Sequence, residues 1–419
     1  MNPTRSLMPD RWVCRASPGG RMGGEQRTAK IKVLTFMSYY VPGFKAGGAL
    51  RTLLNMIDAL GDEFEFYVVT RDRDAGETEP YDSVEIDAWQ HVGKARVLYL
   101  SPARMSLASL RDLMCTMDHD LVYCLGFHDA HFTQKPLLLH RMGLVPEKPV
   151  IVAPQNELSP GALSLKRTKK RAYQIVAKAA GLYRDVTFHA SNEFEREEIA
   201  AVFGQRNPIV VARNLQSVAP PEIDETLRRP KTPGSLRIAF LSRICAKKNL
   251  DGALRMLASP ALRGEITFDV YGPIGESDHW QECQELIRAL PPNIFVTHRG
   301  SVENAEVSAT LARYHLFFFP TLAESFGYVI LEALLGGCSV LISDQTPWTH
   351  LEEGKAGWCL PLSEPERFGE AIQKCVQMSA EEHAEWSKGA RDRARAYSED
   401  PGPRDETRRL LLDAAAGTV

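Results

Sequence analysis

Residues 317–337 read FFFPTLAESFGYVILEALLGG, and this run decides the fold. Three phenylalanines make an apolar strand, Pro320 to Gly327 a short turn, and the segment from Tyr328 a helix closed by Gly336 and Gly337. Two carboxylates, Glu324 and Glu332, stand eight positions apart. The turn delivers a helix N-terminus, backbone amides and Glu324 to one point at the carboxyl end of a strand. In open α/β sheets that is where phosphate-bearing ligands bind.

Strands and helical segments alternate on both sides of this run. In the first half, strands are predicted at Ile31–Met37, Phe64–Thr70, Arg96–Leu100, Leu121–Leu125, Val150–Ala153, Phe188–Ala190 and Ile209–Val211, with a helix from about Leu50 to Leu60. In the second, they are predicted at Leu236–Ser242, Ile266–Tyr271, Ile294–Thr297, Leu316–Phe319 and Ser339–Ser343. Such alternation implies parallel, doubly wound sheets. Residues 216–235, rich in proline and charge, read as a linker between an N-terminal domain over 31–215 and a C-terminal domain over 236–395. Residues 396–419 read as a tail whose segment Asp405–Ala415 is a crossover helix back to the N-terminal domain. Residues 1–30 carry no apolar core of a secretory signal and read as a disordered tail, or as sequence ahead of a start at Met22.

Composition narrows the class. With 419 residues, 44% hydrophobic and 25% charged, the chain has the material for two ordinary cores. A net charge of −3 offers no basic excess for a nucleic-acid partner. No apolar run reaches the roughly 20 residues of a membrane span. The eight cysteines are scattered, without zinc spacing, and read as free thiols of a reducing, cytoplasmic compartment.

The spacing of Glu324 and Glu332, with the words around it and the following SVLISDQTPW, resembles the E-x7-E signature of retaining glycosyltransferases of family 4. The members that it looks most like are those of bacterial surface-polysaccharide assembly. The resemblance covers residues 31 to about 395. It implies the GT-B fold, two Rossmann-like doubly wound parallel-sheet domains facing a cleft, and a nucleoside diphosphate sugar as donor. No cofactor is implied and no metal.

The leaving diphosphate gathers negative charge, which preorganised cations and amides can meet. In LSRICAKKNL, Arg243 and Lys248 lie five apart across a strand-to-helix turn and look like the family's diphosphate-gripping pair. Taken alone they are two cations near a helix start, where the dipole disfavours them unless an anion is present. Glu324 would, by resemblance, orient the transferred sugar, with the Ser325, Phe326, Gly327 and Tyr328 amides on the diphosphate. The bland alternative for it is an N-cap carboxylate. Glu332 would hold the ribose hydroxyls; otherwise it is a helix carboxylate in apolar surroundings that requires a partner. Gly47 and Gly48 follow the first strand, where glycines let backbone approach a ligand closely, and by resemblance they stand against the donor phosphate from the opposite wall. His128 stands past the fourth predicted strand, either, by resemblance, beside the transferring sugar or bonded to its neighbour Asp129.

Asp72-Arg73-Asp74 and Asp118-His119-Asp120 spell the Asp-x-Asp metal motif of the GT-A architecture, which the duplicated strand pattern contradicts; neither is assigned a metal. Residues 164–184 carry seven basic and no acidic residues, with apolar positions at Tyr173, Ile175, Val176 and Ala180. This is either a basic amphipathic helix lying on an anionic membrane or the solvated side of a helix packed on the sheet. Just before it, Gln155-Asn156 stand where the resembling subgroup carries Arg-Gly, so a cation is missing from the acceptor side.

The resemblance thus implies a retaining, metal-independent, hexosyl-type glycosyltransferase. It would act on a saccharide or lipid-linked saccharide, in the cytoplasm or on the inner face of the cytoplasmic membrane. Two rivals remain: a sugar-nucleotide epimerase of similar fold, and a sugar-nucleotide binding protein without catalysis.

Overall fold

The architecture comes from a computed structural model describing residues 30–418 apart from 44, 46, 160–166, 205 and 217–223, and not the side chains of 167–172 and 225. The first half runs β1 (Ile31–Met37), α1 (Gly48–Leu60), β2 (Phe64–Arg71), β3 (Trp89–Val92), β4 (Ala95–Leu100), α2 (Leu107–Thr116) and β5 (Leu121–Leu125). It continues through α3 (Lys135–Arg141), β6 (Val150–Ala153), α4 (Arg167–Ala179), β7 (Thr187–Ala190), α5 (Glu193–Phe203) and β8 (Ile209–Val211). Side chains on β1 alternate between the two faces, as its pleat requires. Leu34 and Phe36 pack under α2, α3, α4 and α5, while Val33 and Met37 pack under α1 and the last helix of the chain.

The second half runs β9 (Ser235–Leu241), α6 (Leu250–Leu257), β10 (Glu265–Tyr271), α7 (Ser277–Arg288), β11 (Ile294–Gly300), α8 (Val307–Leu311) and β12 (Leu316–Phe319). Then follow α9 (Tyr328–Leu335), β13 (Ser339–Ser343), β14 (Gly357–Leu360), α10 (Pro365–Gln377), α11 (Ala380–Ser398) and α12 (Gly402–Ala416). Leu410, Leu411 and Ala414 of α12 are buried in the N-terminal core, and Arg404 and Arg408 of the same helix pair with Glu63. Of residues 216–235, 217–223 lie outside the described residues. Lys231 is buried and donates to the carbonyls of Val376 and Met378, so this end of the stretch is fastened to the C-terminal domain.

Strand order places the site. The C-terminal sheet is β11-β10-β9-β12-β13-β14, all parallel, and reverses direction between β9 and β12. The N-terminal sheet is β3-β4-β2-β1-β5-β6-β7-β8 and reverses between β1 and β5. Loops leaving the two strands at a reversal part to opposite faces, opening a crevice at the strands' carboxyl ends. Arg243 follows β9 and Glu324 follows β12; Gly47 follows β1 and His128 follows β5.

Two strands differ from the sequence reading. β3 was not expected, and it pairs antiparallel with β4, so the N-terminal sheet is not wholly parallel. β14 extends the second sheet beyond β13. The seven cysteines among the described residues are free, and Cys14 of the chain's eight lies outside them, as do residues 1–29.

Candidate active site

The turn after β12 is held from both sides of the cleft. Gly327, the residue before α9, takes φ 78° and ψ 65°, a left-handed conformation that favours glycine. Among the described residues no side chain caps α9; Ile330 N donates to Gly327 O at 2.8 Å, and the amides of Tyr328 and Val329 stay available for a ligand. Glu324 is therefore not the N-cap carboxylate; it pairs with Lys248, while its own N–H donates to Gln345 O at 3.0 Å. The Ser325 carbonyl accepts from Asn192 Nδ2 of the N-terminal domain at 2.6 Å. Phe326 is buried against Trp348, whose Nε1 donates to the Phe326 carbonyl at 2.6 Å. Tyr328 donates to Leu215 O at 2.8 Å, and its hydroxyl lies 3.3 Å from Thr52 Oγ1 on α1. Burial pushes that phenol up to about 12, so it serves as a donor and not as an anion.

Arg243 and Lys248 differ in state. The Arg243 side chain is exposed, its stem lying where a Cβ on Gly275 would collide at 2.7 Å. Among the described residues its guanidinium makes no hydrogen bond or ion pair. Lys248 already faces Glu324, and its ammonium lies 5.4 Å from the Phe319 ring centroid.

Glu332 finds its required partner across the cleft, in an ion pair with Arg51 of α1. Burial pushes the carboxyl up to about 7, with the Arg51 guanidinium pulling the other way. Gly47 precedes α1 at φ 63°, and a Cβ there or on Gly48 would meet nothing within 4 Å, so this wall is open.

His128 is bonded not to Asp129 but to Glu157. The Glu157 carboxylate accepts from His128 N and lies 2.8 Å from His128 Nδ1. Asp129 instead receives Ser38 Oγ, Arg71 and the amides of His131 and Phe132. Both Asp-x-Asp stretches have partners too. Asp118 pairs with Lys32 and Asp120 accepts from Lys32 N, at the amino ends of β1 and β5 and thus away from the crevice. Asp72 pairs with Arg73, and Asp74 accepts from the amides of Lys45 and Ala75.

Residues 223–393 match the family model Glycosyl transferases group 1. This segment is a group 1 glycosyltransferase domain. The chain is 27% identical over 139 residues to the UDP-N-acetylglucosamine–peptide N-acetylglucosaminyltransferase GtfA subunit of Streptococcus gordonii, covering 32% of this chain and 26% of the relative. It is 26% identical over 185 residues to human alpha-1,3/1,6-mannosyltransferase ALG2, covering 41% of this chain and 43% of the relative. The chain thus spans less than half the length of these curated relatives. The crystal structure of Anabaena HepE in complex with UDP and glucose overlays at TM-score 0.62 and 18% identity, over 92% of this chain and 100% of that one. Together with the two parallel-sheet domains, that likeness gives the fold as GT-B.

The crevice between the two domains also contains residues that the sequence reading passed over: Arg51, Asn192, Glu157 and Lys247. Arg51 carried a signal, since a cation in a helix's first turn opposes the dipole and calls for an anion. The other three come together only through the fold.

Proposed function

We propose that the protein transfers a sugar from a nucleoside diphosphate donor to a saccharide acceptor with retention of anomeric configuration. The observation that carries this is the Arg243 guanidinium, unpartnered among the described residues, at the reversal of the C-terminal sheet, where the turn carrying Lys248 and the uncapped start of α9 also lie. That is a preorganised anion site whose charges are supplied by the protein, so the transfer needs no metal ion. Arg243 and Lys248 stabilise the leaving diphosphate, the Ser325–Tyr328 amides assist, and Glu324 turns from Lys248 toward the sugar hydroxyls. Glu332 exchanges Arg51 for the ribose. The acceptor oxygen attacks the anomeric carbon on the face the diphosphate leaves. The carbon–phosphate-oxygen bond breaks as the new glycosidic bond forms, and the acceptor's proton passes to the departing phosphate oxygen. His128 borders the reacting sugar. Closure of the two domains limits hydrolysis by excluding water.

The acceptor is a saccharide, lipid-linked in one form of this reading, as in cell-surface polysaccharide assembly. Ile175 and Val176 on α4 favour a peripheral contact with an anionic membrane, since they are 69% and 65% exposed within the basic segment 164–184. Tyr173, by contrast, turns inward and bonds Tyr183 at 2.7 Å, so the apolar positions of this segment do not share one face. Residues 164–166 of the segment lie outside the described residues. No described helix is long and apolar enough to cross a membrane.

The test is release of nucleoside diphosphate with and without added saccharides, in chelator, with the product anomer read by NMR. Acceptor-dependent release and a product of the donor's configuration are expected. Isomerised donor without an acceptor would indicate an epimerase, and donor binding without turnover on any acceptor a binding protein.

A further inference from the structure

Lys247 is half-buried in the turn between β9 and α6, next to the cation assigned to the diphosphate. Its carbonyl is pinned by Leu322 N at 2.9 Å and Thr321 Oγ1 at 3.2 Å, which fastens this turn to the one carrying Glu324. Its ammonium, among the described residues, makes no hydrogen bond or ion pair. Three carboxylates lie within its electrostatic reach: Glu324 from its own domain, Glu157 and Glu198 from the other. Burial lowers the affinity of Lys247 for its proton, while burial and then Glu195 push the Glu198 carboxyl up to about 7.

The N-terminal side of this cluster is rigidly built. Gln155 and Asn156 both take positive φ, 55° and 60°, which costs energy for residues with a Cβ. Glu195 secures the turn, accepting from Asn156 N at 2.6 Å and from Ser191 N at 2.8 Å. The turn thereby delivers Glu157 beneath His128, whose buried Nε2 has no partner among the described residues. With the oxygen and nitrogen of its side-chain amide exchanged, Asn156 would donate to Glu198 at 3.2 Å, and its oxygen would share the Glu324 N–H, at 3.1 Å, with Gln345 O.

We infer that Lys247, Glu157 and Glu198 form the acceptor subsite, and that it takes a neutral, hydroxyl-bearing sugar in preference to a phosphorylated or uronic one. A donor ammonium with carboxylates in its electrostatic reach, and with no hydrogen bond to them among the described residues, leaves room for a group that both donates and accepts, which is what a sugar hydroxyl does. An anionic acceptor would meet the Glu157 carboxylate, and above neutrality that of Glu198 as well, in a part-desolvated cleft where like charges repel strongly. This deepens the transferase reading and rests on it.

Binding of methyl glucoside, methyl glucuronoside and glucose 6-phosphate to the nucleotide-loaded protein, followed by saturation-transfer NMR, tests the inference. Nucleotide thermal shifts are measured in parallel on wild type, Lys247→Gln and the double variant Glu157→Gln, Glu198→Gln. The neutral glycoside should bind about tenfold more tightly than either anion, and Lys247→Gln should weaken it by about tenfold, as loss of a charged hydrogen bond does. The double variant should reduce the discrimination to within about threefold. Nucleotide shifts should survive in both variants. Equal or tighter binding of the anions, or of none of the three, overturns the subsite, as does loss of the nucleotide shift in Lys247→Gln, which would make Lys247 a diphosphate ligand. Absence of any nucleotide shift in wild type would instead strike the transferase reading itself.

Discussion

Glu332 gives the molecule a pH-dependent stability that a single substitution removes. Its carboxyl is 15% exposed and rises from 4.5 to about 7 on folding, burial outweighing the Arg51 ion pair. Between those values the folded chain keeps a proton that the unfolded chain has released, so stability falls as pH rises through the window. At about 1.4 kcal/mol per tenfold in proton affinity, the ionised form costs up to about 3 kcal/mol above pH 7. Glu332→Gln has no proton to lose, and Arg51, 29% exposed, stays hydrated without its partner. Melting followed by circular dichroism from pH 4 to 9 should show the variant equal to wild type at the acid end. Above neutrality it should be more stable, by on the order of 5–10 °C for a domain of this size. Nucleotide affinity should fall in the same variant, because a ribose hydroxyl loses its anionic acceptor. A variant destabilised by the same amount at every pH would refute the reasoning, since the carboxylate would then be a net asset in its ionised form.

Other perturbations follow from the same geometry. Gly327→Ala must hold φ near 78° and bring a Cβ within 2.7 Å of Ile330 Cδ1, so a denaturant melt should show a loss of about 2 kcal/mol. Lys248→Ala leaves Glu324, 13% exposed, without its counter-charge. It should cost about 3 kcal/mol in stability and slow turnover by about a hundredfold or more in a nucleotide-release assay. Replacing both Ile175 and Val176 by Glu should reduce sedimentation with anionic vesicles by about tenfold while leaving the melting midpoint within about 1 °C.

The fold was legible wherever a run of apolar residues met a turn with glycine, and this covers the strands that bound the crevice. β3 escaped because Trp89–Val92 is a four-residue edge strand, half-buried, whose pairing with β4 is visible only once both are placed. β14 escaped because it opens on Gly357, which sequence reads as a breaker; a Cβ there would lie 2.0 Å from Val340 O, so close approach of backbone explains the glycine. In the candidate site, Glu324, Glu332, Arg243 and Lys248 sit in two short segments with their own turn chemistry, so local reading could single them out. Their present partners did not follow from spacing: Arg51 and Asn192 belong to the facing domain. Glu157 and Lys247 are 90 positions apart in the chain and come within electrostatic reach only because the two sheet reversals face each other.

The most direct measurement is a thermal-shift titration of wild type and Arg243→Ala with nucleoside diphosphates and nucleotide-sugars, each with and without chelator. Because the Arg243 guanidinium holds no partner among the described residues, the substitution should leave the unliganded stability within about 0.5 kcal/mol of wild type. Wild type should be stabilised by one nucleotide family in proportion to ligand concentration over Kd, with no effect of chelator, and Arg243→Ala should lose that shift. A midpoint unmoved by every nucleotide, or a shift that persists in Arg243→Ala, would contradict the donor site on which the function rests.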